Sequence, residues 1–274
     1  MLIKKMFRDI RKNLSQFITI FLMVMIGVMA YSGIKAYMDG MSKTSDTFYT
    51  ENNLFDLNLI GANFTTDDLK DIKAIDNVKD AERKLYLTGV TDNNKTLLMS
   101  FIESNNICKF YVVDGEAFDA NKSGVWLDEF YAKENDIHVG DEILVKYESM
   151  ELHEKVLGLI NVPDHLYDTR DESELYPDRK EFGFAYLSAN EITRDYVIDL
   201  AKNSEDMAGL DESIISNIIT EENYKDYIIF NYVMVDVDDV DKVNEVKEEI
   251  EDKIESAVAI VKAEDTASYV TYQG

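Results

Sequence analysis

Four carboxylates fall within six residues in Asp236-Val237-Asp238-Asp239-Val240-Asp241. Oxygen ligands at such short spacing suit a hard cation such as calcium. The run lacks the glycine and the distal bidentate Glu of an EF-hand loop, however, and a strand exit followed by a helix N-terminus selects Asp on its own account. A structural role is the simpler reading. Glu245, Lys247, Glu248, Glu249, Glu251 and Asp252 read likewise as one solvated helix face. Three histidines, His138, His153 and His165, stand in separate segments without metal-ligand spacing, so a zinc site would need carboxylates. Hydrolysis would require a nucleophile, a base and an orienting acid. The chain has no Gly-x-Ser-x-Gly, no His-Glu-x-x-His and no Cys beside a credible His. Its single cysteine, Cys108, cannot form an internal disulfide and reads as a small buried residue. No catalytic residue, metal or cofactor is expected.

Recognition is the chemistry that remains. Tyr167, Tyr176, Tyr186, Tyr196, Tyr224 and Tyr227 stand amid acidic residues, a mixture able to hold a cationic amphipathic peptide. The competing assignment has them covering a sheet edge and interdomain contacts. Trp126, between Val125 and Leu127, reads as a core anchor rather than an exposed platform. Residues 1–43 carry seven Lys or Arg against two Asp, a net of +5, so the whole-chain charge of −26 leaves −31 for residues 44–274. So acidic a segment repels nucleic acid and bare anionic lipid.

The segment that places these residues in space lies at the N-terminus. Phe17 to Ile34 is a run of eighteen residues without a charge. As a helix it covers roughly 27 Å, close to the hydrocarbon thickness. Phe17, Ile20, Leu22, Val24, Ile26, Val28 and Ile34 would face lipid. Lys4, Lys5, Arg8, Arg11 and Lys12 precede it and should stay in the cytoplasm, which puts the bulk of the chain outside the cell. Leu2, Ile3, Met6, Phe7, Ile10 and Leu14 recur at helical spacing among those cations, the pattern of an amphipathic helix on the inner membrane face. A signal peptide with Val28-Met29-Ala30 before its cleavage point is the alternative. Ile34, Tyr37, Met38 and Met41 prolong the helical stripe beyond that point and favour a stalk.

In the outer segment, Leu54–Ile60 alternates as a strand, Gly61 ends it, and Thr65 or Thr66 caps a helix to about Ile75. Lys84–Thr91 and Thr96–Ile102 read as a hairpin turned at Asp92-Asn93-Asn94. Ile229–Val237 reads as a strand, Asp238 or Asp239 as the cap of a helix through Val243, Val246, Ile250 and Ile254, and Ala257–Lys262 as a last strand. The two ends make a split α/β sandwich of α+β class. The expected organisation is a cytoplasmic helix at 1–16, a membrane helix at 17–38, an extracellular core at 39–113 and 219–274, and an inserted, mixed but β-rich subdomain at 114–218. Within the insertion, 191–225 reads as mostly helical, and Asp164–Lys180, dense in charge, as a mobile surface loop.

From Gly124 the chain reads GVWLDEFYAKENDIHVGDEILVKYESMELHEKVLGLINVP. Val125-Trp126-Leu127, Ala132-Lys133, Val139-Gly140-Asp141-Glu142-Ile143 and Val156-Leu157-Gly158-Leu159-Ile160 together resemble the MacB-like extracytoplasmic core domain of FtsX-type ABC transporter permeases. The opening FRDIRKNLSQFITIFLMVMIGVMAYSGIKAYMDGM resembles the leader and first membrane helix of that family, and Tyr232–Ile254 the end of its outer domain. The Gly140-Asp141 pair is a structural turn, in which Gly permits the bend and Asp bonds nearby amides.

The resemblance implies a ferredoxin-like, porter-type outer fold that is not an enzyme, and a separate cytoplasmic ABC ATPase as partner. No Gly-x-x-x-x-Gly-Lys-Ser/Thr phosphate loop is present here. It implies a leader, including Phe7, Arg8, Ile10 and Arg11, on which the ATPase docks, and motion passed through the first helix to the outer domain for export or extracellular signalling. Further partners implied are membrane lipid, the remaining permease helices or a second permease, and a cationic peptide, drug or lipid as substrate. Family permeases have at least four membrane helices, so this chain reads as an N-terminal portion of one. The alternative is a single-pass, membrane-anchored extracellular binding or adaptor protein. Absence of disulfides and the Lys, Asp and Asn usage fit a Gram-positive cell membrane.

Overall fold

The computed structural model describes Arg8 and residues 11–148, 150–165, 177–204, 207 and 209–266. The chain divides between Thr47 and Phe48 into two compact units. Helix α1, Leu14–Glu51, runs unbroken for 38 residues, about 57 Å at the standard rise. It is long and apolar enough to cross a membrane, and its candidate window is unburied. The hydrocarbon layer needs only about 20 of its residues.

The second unit is built on strands β1 (Leu57–Phe64), β2 (Val78–Thr91), β3 (Thr96–Ile102), β4 (Tyr111–Gly115), β5 (Val125–Asp128), β6 (Glu142–Tyr147), β7 (Met150–Asn161), β8 (Phe182–Ser188), β9 (Phe230–Val237) and β10 (Ala257–Lys262). Helices α2 (Thr66–Lys73), α3 (Glu129–Glu134), α4 (Arg194–Lys202), α5 (Glu212–Ile218) and α6 (Val243–Lys253) accompany them. The strands order as β10-β1-β9-β2-β3-β8-β5-β7-β4, with β6 bridging β2 and β7. Taken alone, β10-β1-β9-β2 are antiparallel neighbours in the order of a ferredoxin-like βαββαβ unit, joined by α2 and α6. The sheet is mixed because β3 and β8 run parallel, in register from Thr96 with Phe182 to Ile102 with Ser188. Through that pairing and the shorter one of β2 with β6, strands from the two ends of the chain and strands from between them enter a single sheet.

Alternation divides the side chains between two faces. Leu57, Leu59, Ala81, Leu85, Val233 and Val235 meet Ile72 of α2 and Val246 and Ile250 of α6 in the main core. Each of these Leu, Val and Ile side chains, fully buried, contributes about 1.5–3 kcal/mol. Other residues make smaller clusters, one of Ile102, Phe110, Trp126, Ile160, Val162 and Tyr186, another of Phe55, Ile107, Cys108 and Met234.

Local chemistry explains the boundaries. Thr65 caps α2 in a capping box: its hydroxyl accepts from the Asp68 amide, and the Asp68 carboxylate accepts from the Thr65 amide. Asp239, one of the two residues expected to cap the last helix, accepts from the Asp241 amide and opens a short turn ahead of α6. Two expected strand limits are corrected. β1 does not stop at Gly61 but passes through it with a register shift, because a Cβ there would lie 2.1 Å from the Ser256 carbonyl and only glycine lets β10 approach. β2 starts at Val78 rather than Lys84, since Val78–Lys84 pair with β9. Gly183 on β8 clears the Tyr131 ring of α3, which a Cβ would meet at 2.4 Å.

Candidate functional site

α1 ends because Asn53 takes a left-handed conformation, φ 49°, and the Leu54 amide reaches back to the Tyr49 carbonyl at 3.0 Å. Asn here does what Gly does in a Schellman cap. The two residues after the helix are then bonded outward. The Asn53 carbonyl accepts from the Cys108 amide at 2.6 Å, and the Asn52 carbonyl from the Lys109 amide at 2.7 Å. Asn53 Nδ2 donates to the Asn106 carbonyl at 3.0 Å and to Asp236 Oδ2 at 3.2 Å. Asp236 also holds Lys79 Nζ at 2.7 Å. Asp56, next to it, accepts from the Val237 amide, and burial together with Asp236 raises its pKa.

The loop that receives α1 is organised by a buried carboxylate. Glu82 accepts from Ser104 Oγ at 2.6 Å, Asn106 Nδ2 at 2.8 Å and the amides of Asn106 and Ile107 at 3.1 Å. Glu82, Lys84 and Tyr86 alternate along β2, so all three leave it on the same side. The Lys84 side chain is 2% exposed, and its Nζ meets Asp164 Oδ2 at 3.0 Å and Tyr86 Oη at 2.9 Å. Tyr86 Oη lies 3.1 Å from His165 Nε2. The His165 ring stacks on Phe184 at 4.3 Å. Arg179 donates to the His165 carbonyl at 3.1 Å and pairs with Asp128 at 3.2 Å. Asp128 meanwhile caps α3 through the amides of Phe130 and Tyr131.

Electrostatics make this cluster an anchor. Burial alone would discharge Lys84, but the Asp164 carboxylate outweighs it and raises the lysine pKa. Burial likewise pushes Asp164 toward the neutral acid, and His165 and Lys84 together hold it well below the usual carboxylate range. Burial raises the pKa of Cys108, Tyr86 and Tyr186, which keeps the thiol neutral and unreactive. What the arrangement can do is hold the 163–165 turn and the 104–109 loop against the sheet.

Part of this contradicts the expected surface loop at Asp164–Lys180. Asp164 and His165 side chains are 9% exposed and that of Arg179 15%. Residues 166–176 lie outside the described residues. A composition dense in charge cannot reveal that one Asp has a buried cation 80 positions away. Glu82 and Lys84 give no sequence signal either, because they stand among Lys79, Asp80 and Arg83 in a stretch that reads as solvated.

The other predicted positions lie elsewhere. Gly140 takes φ 97°, and Asp141 Oδ2 accepts from the His138 amide at 2.8 Å in the turn before β6. The Gly140 amide donates to the Val156 carbonyl of β7 at 2.8 Å. Phe17, Ile20, Leu22, Val24, Ile26, Val28 and Ile34 are all exposed along α1. Arg8 and Arg11 are exposed, whereas Phe7 and Ile10 fall outside the described residues. Trp126 and Cys108 are buried. Of the tyrosines, Tyr186 and Tyr196 are core residues, Tyr227 is exposed, and Tyr167 and Tyr176 are outside the described residues. Among the described residues no group of three or more His, Cys, Asp or Glu side chains is placed to hold a metal.

Glu154 and Glu191 are a second pair of carboxylates with raised pKa. Glu154 on β7 is 5% exposed, and burial, reinforced by Glu191, pushes its pKa up to about 7 against the Ser123 hydroxyl that bonds its charged form. Glu191 is raised by burial as well. A raised acid favours folding below its unfolded pKa and loses that contribution as pH rises through the folded value. Glu154→Gln is therefore expected to be about 1–2 kcal/mol more stable than the parent at pH 8 and equal to it near pH 4.5. Thermal unfolding followed by circular dichroism from pH 4.5 to 8 checks this, and parallel curves at every pH would refute it.

No protein-family model and no curated protein match the sequence. Among solved structures, the fold is similar to the extracellular domain of the noncanonic ABC-type transporter YknZ from Gram-positive bacteria. That match has 13% identity over 76% of this chain and 98% of the other, with a TM-score of 0.43. It is also similar to the periplasmic region of MacB from Actinobacillus actinomycetemcomitans, at 11% identity over 72% of this chain and 92% of the other, with a TM-score of 0.33.

Proposed function

We propose that this chain is the first membrane helix and the noncatalytic outer domain of an FtsX/MacB-like ABC permease, and that it works by transmitting movement. The observation that carries the reading is the continuity of α1. One helix of 38 residues contains a run fit for lipid and continues without a break into the unit that begins at Phe48. A binding protein needs an anchor, but a flexible tether serves that purpose, whereas an unbroken helix is what a displacement requires.

On this reading, residues 1–16 lie along the cytoplasmic face and residues 17–38 cross the bilayer, with cations inside by the positive-inside bias. The outer domain consists of a core, 39–113 and 219–274, carrying the segment 114–218. A cytoplasmic ATPase supplies the energy and docks on the leader around Phe7, Arg8, Ile10 and Arg11. The Gly140-Asp141 turn serves the fold only. The acidic outer surface favours a cationic peptide, drug or amphiphile over nucleic acid.

Co-purification tests the docking. The full chain in detergent is expected to retain a co-expressed cytoplasmic ABC ATPase, and deletion of residues 2–16 to lower the recovered ATPase by about tenfold or more, a docking contribution of roughly 1.4 kcal/mol. Equal recovery with and without the leader would overturn the docking assignment.

A further inference from the structure

A cavity of about 240 Å³ opens between α4, the 224–229 segment and the start of α2. Val197, Leu200 and Ala201 of α4 form its apolar wall together with Tyr227 and Ile228. An engineered cavity of about 150 Å³ admits benzene, so this one has room for an aromatic ring and a short polar arm. Two cations also line it, Arg83 and Lys225, against one carboxylate, Asp226. The Arg83 side chain is 10% exposed and lies over the Phe230 ring at 4.2 Å. Its Nε and Nη2 donate to the two oxygens of Glu103 at 2.8 and 3.0 Å, and Glu103 does not line the cavity. A guanidinium holds its donors in one rigid plane, so the edge bonded to Glu103 leaves Nη1 pointing away from that carboxylate. Among the described residues Nη1 has no acceptor. Lys225, exposed at the rim, bonds only to a neutral acceptor, Asn190 Oδ1 at 2.6 Å, and forms no ion pair among the described residues.

We propose that this cavity binds a small monocarboxylate with an apolar body, its ring or chain against α4 and Ile228 and its carboxylate on Arg83 Nη1, with Lys225 at the rim. An apolar pocket with a few convergent polar groups is the usual form of a small-molecule site. Here those groups are donors on cations, and a donor nine-tenths buried calls for an acceptor. A carboxylate answers both, because a charge-assisted bond is about twice as strong as a neutral one. The segment around the cavity is strongly acidic, which disfavours nucleotides and other multiply charged anions and leaves the single carboxylate. Tyr227, at 37% exposure, is the one tyrosine of the acidic stretch that the fold places both in the open and at the cavity wall. The inference concerns this cavity alone and does not depend on the permease reading.

Isothermal titration of the full chain in lipid nanodiscs tests it, with empty nanodiscs correcting for uptake by lipid. Phenylacetate is the probe, and phenylacetamide and phenethylamine present the same ring with a neutral and a cationic head. Phenylacetate is expected to bind with a Kd in the millimolar range or tighter, as suits a ligand of its size. The other two should bind about tenfold more weakly or worse, the step that a bond to a charged group carries. Ala201→Leu adds bulk at the apolar wall and removes no polar group, and it is expected to abolish phenylacetate binding. Arg83→Gln is expected to weaken phenylacetate by about tenfold or more and to leave phenylacetamide unchanged. Should Arg83→Gln fail to fold because Glu103 loses its partner, Lys225→Gln at the exposed rim replaces it, with phenylacetate weakened by about threefold and phenylacetamide unchanged. Equal affinities for phenylacetate and phenylacetamide overturn the choice of an acid. Absence of saturable phenylacetate binding, or an affinity that Ala201→Leu leaves unchanged, overturns the site.

Discussion

Lys84→Met is expected to cost the sheet unit about 3–5 kcal/mol, because it removes one of the two cations, His165 and Lys84, that hold the buried Asp164 carboxylate charged. Methionine keeps the unbranched stem of lysine and fills much the same space, so packing is a small part of the loss. The charge is the large part. Desolvation already works against Asp164, and the group stays ionised only because Lys84 and His165 outweigh that penalty. Remove Lys84 and the carboxyl must either remain charged at high cost or take up a proton. The deficit should therefore shrink as pH falls toward 5, which a packing defect would not do. For a unit of this size the loss corresponds to roughly 6–20 °C in melting temperature. Thermal unfolding of the full chain followed by circular dichroism measures it. Replacing the partner as well, Lys84→Met with Asp164→Leu, should restore most of the stability, since two apolar side chains need no pairing. A single variant that melts within about 2 °C of the parent, less than 1 kcal/mol, would mean that the pair is not holding the turn.

Trp126→Ala is expected to be equally severe, about 3–5 kcal/mol, for a different reason. The indole is fully buried among Phe110, Phe118, Ile160 and Tyr186, with ring centroids 5.0 Å from Phe118 and 6.2 Å from Phe110. Its Nε1 donates to the Glu116 carbonyl at 2.8 Å, which fastens the strand after β4. Alanine would open a cavity that cannot collapse, because β5 is held on both sides by β7 and β8. Trp126→Phe should fall between the two, keeping most of the volume and losing the hydrogen bond, at about 1–3 kcal/mol. Guanidinium unfolding followed by far-ultraviolet circular dichroism ranks the three chains. If Trp126→Ala cost no more than Trp126→Phe, cavity formation could not be the cause.

Local elements were legible in the chain because their causes are local. The charge-free run at Phe17–Ile34 marks a helix long and apolar enough to cross a membrane by composition alone. Thr65 or Thr66 marks a helix start, for which the structure uses Thr65 in a capping box with Asp68, and Ala257–Lys262 has the limits found for β10. The order of β10, β1, β9 and β2 follows from strand-helix-strand units once their elements are recognised. Gly61 was misread because a bulge and a strand end use glycine in the same way, and only the Ser256 carbonyl at 2.1 Å from its missing Cβ tells them apart.

The sequence by itself determined the long apolar helix, the acidity of the rest of the chain, its α+β class and most of the elements, since propensity, capping and periodicity act over a few residues. Tertiary structure decided that β3 and β8 join strands from both parts of the chain in one sheet, and that Asp164 leaves a charged stretch to meet Lys84. It also decided that the residues following α1 are fastened through Asn53 to Cys108. Each of these depends on a partner fifty or more positions away. A buried charge looks like a surface charge until the group that neutralises it is in place, because the chain specifies that pairing only through the geometry of the whole sheet.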